Sequence, residues 1–213
     1  MKGSQVKSTR VRVILAVMAA GAALTACSPL QAGAAAIVGD QRISTSELSA
    51  DVREYEKVMT EAGVSAGQLQ LQGSIPQALL GSKIFISQLD QLGARDGVAV
   101  TPAEIEALIA QVLQQQQGAT KEQLAINNAV PPSELNALVR ASIVQQKLMA
   151  KYGAGQDQAS QQAAAQKLAQ EAQAAFPITR NPRYGEPNPQ AQSAADAIIE
   201  SNRFGALPAA AGR

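Results

Sequence analysis

The 213-residue chain carries 18 Lys and Arg against 17 Asp and Glu, with no His, no Trp and a single Cys. A charge so close to balance gives no pull toward nucleic acid, and without His neither a His-based triad nor the usual zinc ligand sets can be assembled. One sulfur makes no internal disulfide.

The residue census also argues against an enzyme. No GxSxG, Walker A or GxGxxG pattern is present. Three Tyr and three Phe remain to line a sugar site beside a carboxylate pair, and the scattered Asp and Glu fall at helix starts, where they cap. With no acids clustered along the sequence, neither a metal nor another cofactor is expected.

Lys2, Lys7, Arg10 and Arg12 open the chain, and Val13 to Leu24 follow as one apolar run, VILAVMAAGAAL. This is the pattern of a secretory signal. The run falls short of the roughly 20 apolar residues that span a bilayer, and no later segment approaches that length. Leu24-Thr25-Ala26-Cys27 resembles a bacterial lipobox. The resemblance implies that the Cys27 thiol takes diacylglycerol, that cleavage makes Cys27 the first mature residue, and that acyl chains of the palmitate class hold the protein on a membrane. Two such chains anchor stably where one is marginal. The expected location is extracytoplasmic: the outer face of the cytoplasmic membrane, or an outer membrane where the cell has one. Beyond the signal, 14 cations face 17 acids, a net charge of −3.

Ala35 to Val38 and Arg42 to Ser44 flank Gly39-Asp40-Gln41 and read as a strand, a turn and a second extended piece. Ser44-Thr45-Ser46-Glu47 matches a capping box, so a helix with Leu48, Val52, Tyr55 and Met59 along one stripe should start there. The spacing predicts a second helix from after Ser74 to about Arg95, apolar on more than one face and therefore central, with Gly93 and Gly97 marking its end. Thr101-Pro102-Ala103-Glu104 is another capping box, with Pro at the permitted first position, followed by the stripe Ile105, Leu108, Ile109, Val112 and Leu113. Thr120 to Gln123 signals a short fourth helix ended by Pro131-Pro132. Ser133 then stands as the cap of a fifth helix carrying Leu135 to Met149. Residues 156 to 175 are rich in Ala and Gln, which favours a helix with little to bury. Phe176 to Gly185, FPITRNPRYG, has extended and turn character. The remaining end should be mostly mobile, apart from a helix near 194 to 202.

The order AAIVGDQRISTSEL, helices, GVAVTPAEIEALI and PSELNALVRASIVQQKLM, closed by NPRYGE, resembles the N-terminal domain of SurA-type envelope chaperones. The resemblance implies a mainly α fold, a multi-helix bundle with a small two-strand element joining the N- and C-terminal segments. Ile178 to Tyr184 would lie beside Ala35 to Val38, with Asn181, Pro182, Arg183 and Tyr184 closing the domain. It divides the chain into signal peptide 1–26, tether 27–34, helical domain 35–185 and tail 186–213. Full-length members insert a parvulin prolyl isomerase before the closing segment. Here only Gly153 to Phe176 lie between, and the His residues of a parvulin site are missing.

The implied function is therefore a lipid-tethered holdase for unfolded envelope or secreted polypeptides, without isomerase activity. Adaptable side chains such as Met59, Leu71, Phe85 and Met149 are the candidate polypeptide contacts. The alternative is a structural or partner-binding lipoprotein in which those residues are core.

Overall fold

The computed structural model describes residues 33–187 together with residues 198 and 199. The chain separates into two units, Met1–Ala32 and Gly33–Arg213. The first lies outside the described residues, and with it the signal, the lipobox residues Leu24, Thr25 and Ala26, and Cys27.

The second unit is mainly α. Six helices, α1 (Thr45–Glu61), α2 (Ile75–Arg95), α3 (Pro102–Gln115), α4 (Lys121–Asn127), α5 (Leu135–Lys151) and α6 (Gln158–Ala175), accompany a sheet of β1 (Ala34–Val38), β2 (Gln41–Ser44) and β3 (Ile178–Arg180) in the order β2-β1-β3, which packs on α1 and α2. The expected pairing of residues near 36 with residues near 180 is present: Ala36 faces Arg180, Ile37 faces Thr179 and Val38 faces Ile178, antiparallel. The hairpin partner β2 makes the element three-stranded. Asn181 extends the closure, its backbone N–H donating to Ala35 O at 2.9 Å and its Nδ2 to Ala34 O at 2.8 Å. Pro182–Tyr184 then form a 3-10 turn, so strand pairing stops short of Tyr184.

The helices begin where short side chains satisfy their first amides. Thr101 Oγ1 accepts from Glu104 N at 3.3 Å and Glu104 Oε2 accepts from Thr101 N at 2.8 Å, a complete capping box. At α1 the Ser44 arm forms, with Ser44 Oγ accepting from Glu47 N at 3.1 Å. The Glu47 carboxylate goes instead to Lys83 Nζ at 2.9 Å. Ser133 is not the cap of α5. Its N–H and hydroxyl donate to the Glu54 carboxylate at 3.0 and 2.8 Å, and a 3-10 turn at Pro132–Glu134 leads into the helix. Gly93 does not end α2 either. A Cβ there would stand 2.7 Å from Val144 Cγ1, so the glycine permits close packing of α2 on α5.

Helix α2 is central because its two halves serve different cores. Leu79, Leu80 and Ile84 pack with β1, Leu48, Tyr55 and Met59, whereas Leu89 and Leu92 pack with Ile109, Leu135, Val144, Leu148 and Leu168. Tyr55 ties α1 to α4 by donating to Ile126 O at 2.7 Å, and burial pushes its phenol up to about 12. The segment Gly153–Phe176 is filled by α6, which buries Ala164, Leu168 and Ala172, the last two in the second core. In the tail, Ile198 and Ile199 form a strand, β5, paired with β4 (Glu186–Pro187). They are not helical, and the rest of the region expected as a helix near 194 to 202 lies outside the described residues.

Candidate functional site

Among the described residues, one face of α2 is left uncovered. Ala78, Gly81, Ser82 and Phe85 recur at helical spacing and line a groove of about 510 Å³ with Leu69, Leu71, Asn128 and Arg180 among its other walls. Gly81 adds to the open space, since a Cβ there would meet nothing within 4 Å among the described residues. A glycine in a helix interior weakens the helix by roughly 0.5–1 kcal/mol relative to Ala, so this position carries a cost that packing does not require.

A second such cost sits at the end of α4. Val130 N donates to Ala125 O at 3.1 Å and Ala129 N to Ile126 O at 3.2 Å. This is a Schellman closure, whose left-handed position normally takes Gly. Helices α1, α2 and α5 close the same way and put Gly63, Gly97 and Gly153 there, but α4 uses Ala129 at φ +50°. Ala129 lies in the groove wall.

The third is Arg180. It lines the groove from β3, yet its Nε and Nη1 are buried without a hydrogen-bond partner among the described residues. Burial holds the guanidinium below its ordinary value, though arginine keeps its proton in proteins. Among the described residues, no acidic one lines the groove. The site therefore combines an unmatched cation, the amides of Gln70, Gln72, Asn127 and Asn128, and the apolar side chains of Leu69, Leu71 and Phe85. It has the donors and apolar area to hold a peptide.

A different cluster lies between α1, α2 and the start of α5. Glu47, Asp51 and Glu134 come together in space, a grouping that sequence separation conceals, and their carboxylate oxygens stand within 4.8 Å of one another. Lys83 fills the centre, with Nζ at 2.9 Å from Glu47, 2.9 Å from Asp51 and 3.2 Å from Glu134. Burial alone would lower the Lys83 ammonium, but the hydrogen bonds to Glu47 and Asp51 and the charge of Glu134 hold it above its ordinary value. For Asp51, burial outweighs the pull of Lys83 and raises the carboxyl. The chain's own ammonium thus takes the place a cation would occupy.

Of the residues anticipated as polypeptide contacts, Leu71 and Phe85 share the groove. Met59 does not: at 5 % exposure it belongs to the core with Tyr55 and Leu80. Met149 packs against the other core, beside Leu148 and Leu168. Arg180, Gly81 and Ala129 were missed. Arg180 carries a signal, since residues i and i+2 of a strand share a face and Ile178 and Arg180 turn inward on either side of exposed Thr179.

A family model described as the SurA-like N-terminal domain matches residues 4–149. The chain belongs to this family. The match to the SurA-like N-terminal domain takes in β1, β2, α1 to α4 and most of α5, so the Lys83 cluster and the α2 face of the groove lie within it. Arg180 and the closing strand lie beyond it. No curated protein and no solved structure matches the chain. Membership supports a chaperone-like or partner-binding role with protein partners. Among the described residues, no helix is long and apolar enough to cross a membrane.

Proposed function

We propose that this protein is a chaperone-like holdase, tethered to a membrane outside the cytoplasm by lipid on Cys27, which binds unfolded envelope or secreted polypeptides without isomerising them. The observation that carries the reading is the groove on α2, where Gly81 leaves open a space that Leu71 and Phe85 border. Apolar contact of this kind is nonspecific, and the surrounding amides serve any peptide backbone. The reading assigns no catalysis, cofactor, metal or nucleic acid.

The test is light scattering from one denatured client, with the full chain and its Gly81→Leu variant at severalfold excess. The parent suppresses scattering, and the leucine fills the groove and abolishes the effect. Equal suppression by both would remove the groove from the function. Proline-limited refolding in the same preparation proceeds at its uncatalysed rate. For the anchor, mass spectrometry of the membrane fraction finds a lipidated N-terminal Cys27, and Cys27→Ser loses that modification.

A second reading, a lipoprotein that binds one defined partner, draws on the polarity of the groove. Four side-chain amides and a guanidinium make it more selective than an apolar cradle. Failure to suppress scattering of any client would favour this reading.

A further inference from the structure

Resting on the groove as a polypeptide site, we propose that it selects extended segments in which an Asp or Glu side chain stands beside a large apolar residue, the carboxylate pairing with Arg180. A guanidinium withdrawn from water needs an anion or hydrogen-bond acceptors in exchange. Among the described residues, Arg180 has neither at Nε and Nη1, and the groove walls supply no acid. Lys83 shows what this fold does with a cation it neutralises itself, surrounding it with three carboxylates. Arg180 is left to be neutralised from outside.

The carboxylate is the chemistry that fits. A guanidinium presents a planar fork that binds it through paired hydrogen bonds, and charge-assisted bonds of this kind are about twice as strong as neutral ones. The side chain as a whole is partly exposed, but Nε and Nη1 are buried, so pairing with an arriving acid requires the guanidinium to rotate outward into the groove it lines, a side-chain movement that leaves the sheet intact. Leu71 and Phe85, in the same groove, receive the apolar neighbour, and Gln70, Gln72, Asn127 and Asn128 offer both donors and acceptors to the peptide backbone. The acid is an internal side chain and not a chain terminus, because an unfolded polypeptide offers many internal carboxylates and one terminal one.

Three fluorescent peptides, titrated by anisotropy against the full chain, test this. The first is capped at both ends and carries an internal Leu-Glu-Phe, the second is the same with Gln for Glu, and the third is the Gln peptide with a free C-terminal carboxylate. The Glu peptide binds roughly tenfold or more tightly than the Gln peptide, as a charge-assisted bond implies, and the preference narrows with added salt. In Arg180→Gln the Glu-to-Gln ratio falls to about one, and Arg180→Lys, which keeps the charge but not the fork, retains only part of it. Gly81→Leu removes binding of all three.

Equal affinity of the Glu and Gln peptides for the parent chain overturns selection by Arg180 while leaving the groove a peptide site. A Glu preference that survives in Arg180→Gln overturns the assignment to this residue, and tightest binding of the free-terminus peptide overturns the internal acid as the source. Binding that persists in Gly81→Leu, or no binding by any peptide, overturns the groove itself. The parent-chain comparison needs no variant to fold.

Discussion

Lys83 and Arg180 are both cations drawn inward, on opposite terms. Lys83 is 8 % exposed and sits at 2.9, 2.9 and 3.2 Å from three carboxylates. Arg180 lines a groove with two buried nitrogens that lack a partner among the described residues. Around Lys83 the neighbours complete the interaction. Around Arg180 they add two further departures, a helix-interior glycine at position 81 and a left-handed alanine at position 129. Local choices that oppose stability concentrate where a protein has a task other than folding. The difference separates a flank that neutralises its own cation from a face that, among the described residues, does not.

The largest expected effect tests the satisfied side. Lys83→Met leaves Glu47, Asp51 and Glu134 around an apolar group, and breaking a buried ion pair from one side costs about 3–5 kcal/mol. Chemical denaturation at neutral pH should show that loss. The Asp51 carboxyl already stands above its ordinary value in the folded protein. A carboxyl raised on folding binds its proton more tightly in the native state, so its contribution to stability falls as pH rises through the window above the unfolded value. The deficit of Lys83→Met should therefore be greatest at neutral pH and shrink as pH falls toward about 4. A deficit independent of pH would mean that packing, not charge, sets the role of Lys83. Below that range Asp96 and Glu104 act with the opposite sign. Arg95, with Tyr152 and Lys151, holds Asp96 at about 2, and Lys147, with Thr101, holds Glu104 at about 2. Their stabilisation is present above the unfolded carboxyl values and is lost as pH falls through about 2 in parent and variant alike.

What the sequence disclosed follows from how local the physics is. The starts of α1, α3 and α4 are written within four residues, in Ser44 to Glu47, Thr101 to Glu104 and Thr120 to Gln123, and each has its capping bond. The pairing of β1 with β3 was legible only through family resemblance, because no local pattern links Ala36 to Arg180. Ser133 was misread because a Ser before an apolar run looks like a cap, whereas Glu54, 79 positions earlier, claims its N–H and hydroxyl. The groove was legible in two residues, Leu71 and Phe85. Its other walls come from the connection before α2, from α2 itself, from the end of α4 and from β3, and the value of Arg180 depends on which acids are absent around it among the described residues, a property of the assembled fold.

The next effect in size has the reverse sign. Arg180→Met exchanges an unmatched guanidinium for an apolar side chain of similar reach, and should stabilise the protein by about 1–2 kcal/mol, since an unsatisfied buried polar group costs of that order and more when charged. Thermal melting of the two proteins side by side decides it. A lower melting temperature in the variant would mean that Arg180 supports the sheet, and the contrast with Lys83 would fail. Gly81→Ala should gain roughly 0.5–1 kcal/mol on helix propensity alone, because its Cβ enters open space. Loss of stability there would show that the groove closes on itself in solution.

The smallest effect concerns Ala129, and its interest lies in how nearly its contributions cancel. A left-handed L-residue costs about 1–2 kcal/mol, so Ala129→Gly relieves strain that Gly63, Gly97 and Gly153 never incur at the same place in their helix ends. Against this, glycine loosens the unfolded chain, which costs roughly 0.4–1 kcal/mol, and the methyl of half-buried Ala129 leaves its packing against the core that holds Ile126. The sum should be a gain of no more than about 0.5 kcal/mol. The converse change, Gly97→Ala, adds strain with no methyl to lose and a Cβ that meets nothing within 4 Å. It should destabilise by about 1 kcal/mol after the unfolded-state gain is set against the strain. Urea titrations of both variants beside the parent measure the pair. If Ala129→Gly costs as much as Gly97→Ala, the alanine is held by contacts that repay its conformation, and the groove wall belongs with the satisfied flank around Lys83.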